Sequence, residues 1–454
     1  MRTSHDIVFP AGEFQSRHEA LCRIYNDEHS VENLQVVIFT NYVVPAEIYG
    51  YILGTNSTFE RLSGFMDIHS SSPKLSGCVN GDSRVVVESE DFSFSFFGMQ
   101  YWNEHSESEY IYVVSKLVFR SISFKSMGNY EDVKHRAIFS LAGPNQIWRW
   151  MPRYDIGKEK WPLEVREPRK ISLPSVQPLE LSVSSERAWH SNEISGTRQF
   201  KEVFTLEISC EMNRLAYDVF CKKAEELVGD LLLLVSFAAR NWIDWFHLSI
   251  ASQTNLVDKY RAPRRIASKT DDRFNYLVRP ENIDQYIEIA LSAYRRLRND
   301  GKNIYMPIVD YMYGNEDQYF GKSFTDYYFS LEALRRIFKP SKLIKHRLKD
   351  CSGPERSILG LLEQLNVPWK DIYLDKKVES LINTRNALFH EPHNSNQGIL
   401  LVQKQRLRIL IERLLLRALS WDDLSTTLKE SDKDWIEKNS ARAIDTINWT
   451  CEDD

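Results

Sequence analysis

Cysteine is sparse and scattered in this chain, which argues against two architectures at once. The six cysteines, Cys22, Cys78, Cys210, Cys221, Cys351 and Cys451, make no C-x-x-C pair. Neither a structural zinc site nor a disulfide framework is expected, and reduced buried thiols of a cytoplasmic protein are. Long apolar runs are scarce too. The most apolar stretch, Leu227 to Phe246, carries Asp230, Arg240 and Asp244, charges that a lipid-spanning helix rarely holds, so it reads as a buried helix. The opening MRTSHDIVFPAGEFQ lacks an apolar segment of signal-peptide length, and a cytoplasmic location without membrane association is expected. There is no excess of positive charge: the formal net charge is -5, which argues against a protein that coats nucleic acid non-specifically but leaves room for a local basic groove. Gly321-Lys322-Ser323 lacks the upstream glycine of a phosphate-binding loop, and no internal repeat or low-complexity tract is present. No metal and no cofactor are expected.

What is present is the composition of a folded protein, 43% hydrophobic and 27% charged over 454 residues, a length at which a chain splits into more than one core. The texture changes near residue 205. Before it, LQVVIFT, RVVVES, FSFSFFGMQ, YIYVVSKLVF and FKEVFTLEIS suit strands, with FSFSFF alternating at period two. GTNS, HSSSPK, NGDS and the Pro/Lys/Glu-rich stretch from Lys158 to Pro178 punctuate them. Beyond Met212 apolar residues recur at three- and four-residue steps, predicting helices over 212–250, 281–299, 323–338, 354–365, 373–390 and 399–419. The expected fold is α+β and multidomain: a β-rich amino-terminal domain over residues 1–205, followed by an all-α bundle over residues 206–454. The β-rich half carries His5, His18, His69, His105, His135 and His190 without a catalytic constellation, and isolated histidines are mostly surface or hydrogen-bonded structural residues.

The informative segment is YLDKKVESLINTRNALFHEPHNS, residues 373–395. On a helix, Val378, Leu381, Ile382, Leu388 and Phe389 share one apolar arc, and Arg385 falls in the middle of it. A guanidinium there needs a carboxylate partner or a partly wet crevice, because burying an unpaired charge costs several kcal/mol. Beside that arc lie Glu379, Asn383, Asn386 and His390, with Asn386 and His390 one turn apart. Glu391-Pro392 follows, so the helix is expected to stop near His390. In a last helical turn the dipole favours imidazolium while Arg385 opposes it.

Arg385, Asn386, three further residues and His390 match the R-N-x-x-x-H form of the motif of the HEPN superfamily, which this segment resembles and whose members are mainly helical ribonucleases. SFTDYYFSLEALRRIF at 323–338 resembles the family's earlier core helix, with Glu332 where an acidic residue often faces the motif. LLLLVSFAARNWIDWF at 231–246 resembles the helix that opens the C-terminal part of ApeA-like anti-phage proteins. The likeness covers roughly residues 215–425 and is only loose over the β-rich half.

The resemblance implies a metal-independent endoribonuclease acting through the substrate's own 2'-hydroxyl. His390 is expected to move the proton, Arg385 to bind the scissile phosphate, Asn386 to hold either in register and Glu332 to aim Arg385. It also implies two such helices meeting in a homodimer, and a defence role in which the β-rich half senses a phage-derived trigger and the helical half cuts RNA, including tRNA, to abort infection. Arg406, Arg413 and Arg417 share a helix face and Arg295, Arg296 and Arg298 form a second cluster. Each set either lines an RNA groove or is a solvated arginine face. Tyr327, Tyr328 and Trp369 are candidate stacking surfaces, and His393 is either a substrate contact or a polar loop residue. The rival readings are a non-catalytic HEPN-like module that holds a nucleotide or protein partner with the same arginine, and a main function in the β-rich half with the helices as support.

Overall fold

The computed structural model describes residues 15–27, 29–41, 48–54, 56–63, 73–79, 84–95, 100–101, 112–128, 134–143, 145–148, 169–192, 197–263, 276–316, 319–348, 353–372, 379–390 and 397–439. It has a β-rich amino-terminal region followed by a helical one. By contacts the chain divides into two compact units: Met1–Asn145, Arg153–Leu227 and Asp244–Ile266 form the first, and Gln146–Pro152, Val228–Ile243 and Ala267–Asp454 the second.

In the first unit, strands β1 (Gln15–Tyr25), β2 (Ser30–Asn41), β3 (Ile48–Gly54), β4 (Lys74–Val79), β5 (Val85–Ser95) and β7 (Tyr112–Met127) pair antiparallel in the order β3-β2-β1-β4-β5-β7. A further β3–β7 pairing closes them into a six-stranded barrel. Closure leaves this set no open edge, which is how all-β folds avoid edge-to-edge association. Strand alternation builds the interior: Ala20, Cys22 and Ile24 are buried while Leu21 between them is 53% exposed, as period two requires. The barrel core is apolar, with Val36, Ile38, Ile52, Leu117, Phe119 and Ile122 among its buried residues.

The length of β7 lets it serve two sheets. Its Tyr112–Phe119 half pairs with β3, and its Ser121–Met127 half pairs with β13 (Asn255–Arg261). The sheet then continues through β12 (Asp244–Ala251), β8 (Lys134–Ala142), β11 (Thr197–Glu211), β10 (Glu180–Asn192) and β9 (Arg169–Ile171), while β6 (Gln100–Tyr101) adds to β7. Residues 244–250 are therefore strand, although their apolar character predicts a continuing helix. Burial alternates strictly along β12, the period of a strand, whereas the apolar residues Trp245 and Leu248, and Phe246 and Ile250, also stand at the three- and four-residue steps of a helix. Arg261 closes this part of the sheet by bonding the Asp244 carboxylate and the Trp245 carbonyl and lying 3.7 Å over the Trp245 ring.

The helices are α1 (Asn56–Ser63), α2 (Tyr217–Ala239), α3 (Ile283–Asn299), α4 (Tyr305–Gly314), α5 (Phe320–Ile337), α6 (Lys342–Arg347), α7 (Gly353–Gln364), α8 (Glu379–His390) and α9 (Gln397–Ala418), with a further helical stretch at 430–439. In the second unit α9 is the central element, with Leu400, Leu407, Leu410, Leu414, Leu415 and Leu416 all buried. Its charges are spent inside: Arg240 Nη2 reaches Glu412 Oε2 at 2.6 Å, and the Tyr311 hydroxyl donates to Glu412 Oε1 at 2.7 Å. Helices α4 and α5 pack closely because Gly314 has no side chain; a Cβ there would run into the Tyr327 ring.

Among the described residues no helix is long and apolar enough to cross a membrane. Cys22, Cys78, Cys210 and Cys221 are free thiols, and burial pushes the Cys22 thiol up to about 12. Cys351 and Cys451 lie outside the described residues.

Candidate functional site

The site forms where α8 packs on α5 in the helical unit. Leu381 is fully buried and Arg385, one turn further along, is half-buried. This resolves the misplaced charge of the apolar arc: the guanidinium stands at the edge of the packed stripe and not within a dry core. Its Nη1 donates to Asn386 Oδ1 at 3.0 Å, and its Cζ lies 5.8 Å from the centre of the Tyr328 ring. Tyr328 belongs to α5 and is 5% exposed. At that distance the ring face attracts the guanidinium by cation–π interaction.

Glu332 lies one turn beyond Tyr328. It is bonded by Arg335 of its own helix and by the Tyr328 hydroxyl. Burial first, and then the Glu332 carboxylate, hold the Tyr328 phenol above its ordinary range, while Arg335 and Arg385 oppose them. Arg335 in turn donates from Nε to Ser357 Oγ at 2.9 Å. Glu332 thus reaches Arg385 through the ring of Tyr328, a coupling that the sequence expectation of a direct Glu332–Arg385 pair did not contain. His390 is the last residue of α8, one turn beyond Asn386; its side chain lies outside the described residues, as does His393.

Most arginines of the two sets are engaged by acceptors of the protein itself. Arg406 is 3% and Arg413 4% exposed. Arg413 donates to both oxygens of Asp371 at 2.7 and 2.8 Å, to the Pro368 carbonyl and to Thr427. Burial works against the Asp371 charge, but this bidentate bond wins and holds its carboxyl below the usual range. Arg417 is paired with Asp422. For Arg406 and Arg413 both alternatives, an RNA groove and a solvated arginine face, are corrected: these side chains are buried, Arg413 against a carboxylate, whereas Arg417 stays partly exposed. Arg295 and Arg298 both bond Asp230, at 3.3 and 3.1 Å, and Arg296 bonds Ser420. Tyr327 is also buried, donating to Asn315 Oδ1 at 2.7 Å, so neither it nor Tyr328 offers a free stacking face.

A feature outside the sequence reading lies on the same helix α5. Asn303, Met306, Pro307, Asp310, Phe329, Glu332, Ala333, Arg336 and Ile337 line a groove of about 370 Å³. Burial, and then the neighbouring charge of Asp326, push the Asp310 carboxyl up to about 6. The sequence carries little signal for this groove, because YMPIVDYMYG of α4 contains Pro307 and Gly314. A proline in the first turn is tolerated, since those N–H groups have no partner within the helix.

Among the described residues no group of three or more His, Cys, Asp or Glu side chains is placed to hold a metal ion. In the β-rich unit, His18 Nε2 lies 3.2 Å from Thr40 Oγ1 and His135 Nε2 lies 3.1 Å from the Leu215 carbonyl, the structural uses expected of isolated histidines. No protein-family model, curated protein or solved structure matches the chain.

Proposed function

We propose that the chain is a cytoplasmic, metal-independent endoribonuclease of HEPN type that cuts RNA at Arg385 and His390. One observation carries the reading: Arg385 is half-buried and seated on the Tyr328 ring with Asn386 at its fork, on the helix whose last residue is His390.

RNA carries its own nucleophile. The 2'-oxygen attacks phosphorus as its proton passes to the His390 imidazole; the phosphorus–5'-oxygen bond breaks, and the departing oxygen takes a proton from a second acid. Arg385 stabilises the charge that gathers on the non-bridging oxygens. Glu332 acts at one remove, through Tyr328. The products are a 2',3'-cyclic phosphate and a 5'-hydroxyl. One imidazole does not easily serve as both base and acid, so the second His390 of a homodimer supplies the acid. The physiological setting is abortive defence against phage, with the β-rich unit receiving a phage-derived trigger and RNA, including tRNA, as the target.

The test compares RNA degradation by the purified full chain and its His390→Ala variant, each with and without EDTA. Cleavage by the wild type alone, unaffected by EDTA, is expected. Equal degradation by both proteins overturns the assignment, and RNA binding without cleavage in either points to the phosphate-holding module.

A further inference from the structure

The α4/α5 groove has the make-up of a small-ligand site: a concave space of about 370 Å³ with apolar walls and a few convergent polar groups, at the lower end of the usual size range. Two of its apolar side chains stay open to water, Met306 at 53% and Phe329 at 49% exposure. Between them and the polar residues the groove offers a flat aromatic face, a polarizable thioether, the carboxyl group of Asp310, the Asn303 amide and the guanidinium of Arg336. A ring and a thioether take the faces of any planar heterocycle. Glu332 also lines the groove but is bonded by Arg335 and the Tyr328 hydroxyl, so Asp310 is the selective element, because two acceptor oxygens match an edge that presents two adjacent N–H donors. Among the RNA bases guanine has such an edge, whereas adenine, cytosine and uracil place an acceptor beside a donor.

We propose that this groove is a nucleobase pocket for guanine, in which Phe329 and Met306 cover the base, Asp310 accepts from its two adjacent N–H groups and Arg336 holds the attached phosphate. The proposal rests on the ribonuclease reading for its setting, since Glu332 both lines the groove and bonds the Tyr328 that carries Arg385. It deepens that reading by naming the base presented to the cleavage helix. Asp326, Glu332 and Arg336 are the charged groups around Asp310 on α5. Two N–H donors favour the ionised carboxyl, so guanine binding strengthens as pH rises through about 6.

Calorimetric titration of the full chain with GMP, AMP, CMP and UMP near neutral pH tests the pocket without requiring cleavage. GMP is expected to bind at least about tenfold more tightly than the other three, the discrimination of one bidentate pair. Asp310→Asn, which turns one acceptor into a donor, removes that preference, and Phe329→Ala weakens all four nucleotides; melting curves confirm that both variants fold. Arg385→Ala keeps GMP binding. Equal affinity for the four nucleotides, no binding of any, or a guanine preference that survives Asp310→Asn overturns the pocket. If RNA is cut but GMP does not bind, the pocket fails and the nuclease stands; if GMP binds as described but RNA stays intact, the reverse holds.

Discussion

Arg385 and Arg413 show how differently one residue type is used on neighbouring helices. Arg413 is locked by a bidentate carboxylate inside the unit, while Arg385 sits half-exposed on a ring. Truncating them separates the roles. Arg385→Ala should lower RNA cleavage by about a hundredfold or more, the usual cost of losing a donor aimed at developing charge, with little change in melting temperature. Arg385→Lys should restore little of it, since a point charge does not reproduce a planar fork. Arg413→Ala should do the opposite, lowering the unfolding midpoint by leaving Asp371 without its partner, with no effect specific to RNA. Asp310 gives a pH test at the same scale. Its folded-state pKa of about 6 lies above the ordinary aspartate value of 3.8, so the folded chain holds that proton more tightly than the unfolded one. The charged group therefore works against folding at neutral pH, and that penalty fades as pH falls through about 6. Asp310→Asn should raise stability near pH 7 by on the order of 1 kcal/mol, discounted for solvent screening, and the gain should vanish near pH 4; a gain that grows on acidification would contradict it.

The helices differ in what holds them and in how legible they were. Strongly periodic segments were readable: α3, α5, α7 and α9 fall within a few residues of the ranges that apolar spacing predicts. The strands at LQVVIFT, RVVVES and YIYVVSKLVF were readable for the same reason, β-branched content with turn residues at their ends. What could not be read was set by partners distant in sequence. Residues 244–250 are strand because β8 and β13 flank them, and α4 forms because its apolar face is covered by α5. The pairing of Glu332 with Tyr328 and Arg335 is invisible in the motif, which places residues on a helix but not the ring between two helices. The close approach of α4 and α5 predicts that Gly314→Ala costs about 1–3 kcal/mol in urea unfolding, through the clash with Tyr327. For α9, Glu412→Gln should cost about 3 kcal/mol or more because it strands Arg240 in the interior. The Arg240→Met/Glu412→Leu double variant should cost less than the single change, and a larger cost would show that the pair itself supplies the stability.

On the scale of the whole molecule, the β-rich unit is a closed barrel continued by an antiparallel sheet, and the helical unit holds both α8 and the α4/α5 groove. On the proposed reading this division would keep the sensing and cutting functions in separately packed units. The proposed composite site, with one histidine from each copy, would make assembly part of the chemistry. Light scattering should find a dimer under conditions where RNA is cut, and mixing wild-type with excess His390→Ala chains should lower cleavage per wild-type chain, because a mixed dimer holds only one of the two imidazoles. A monomer that cuts RNA at full rate would remove the composite site.

The account depends most on the bond that breaks and the group that attacks. Mapping the ends of RNA cut by the wild-type chain measures both. Fragments ending in a 2',3'-cyclic phosphate, beginning with a 5'-hydroxyl and absent with His390→Ala are the predicted result. Fragments with 3'-hydroxyl ends, or the same fragments from the variant, would contradict it.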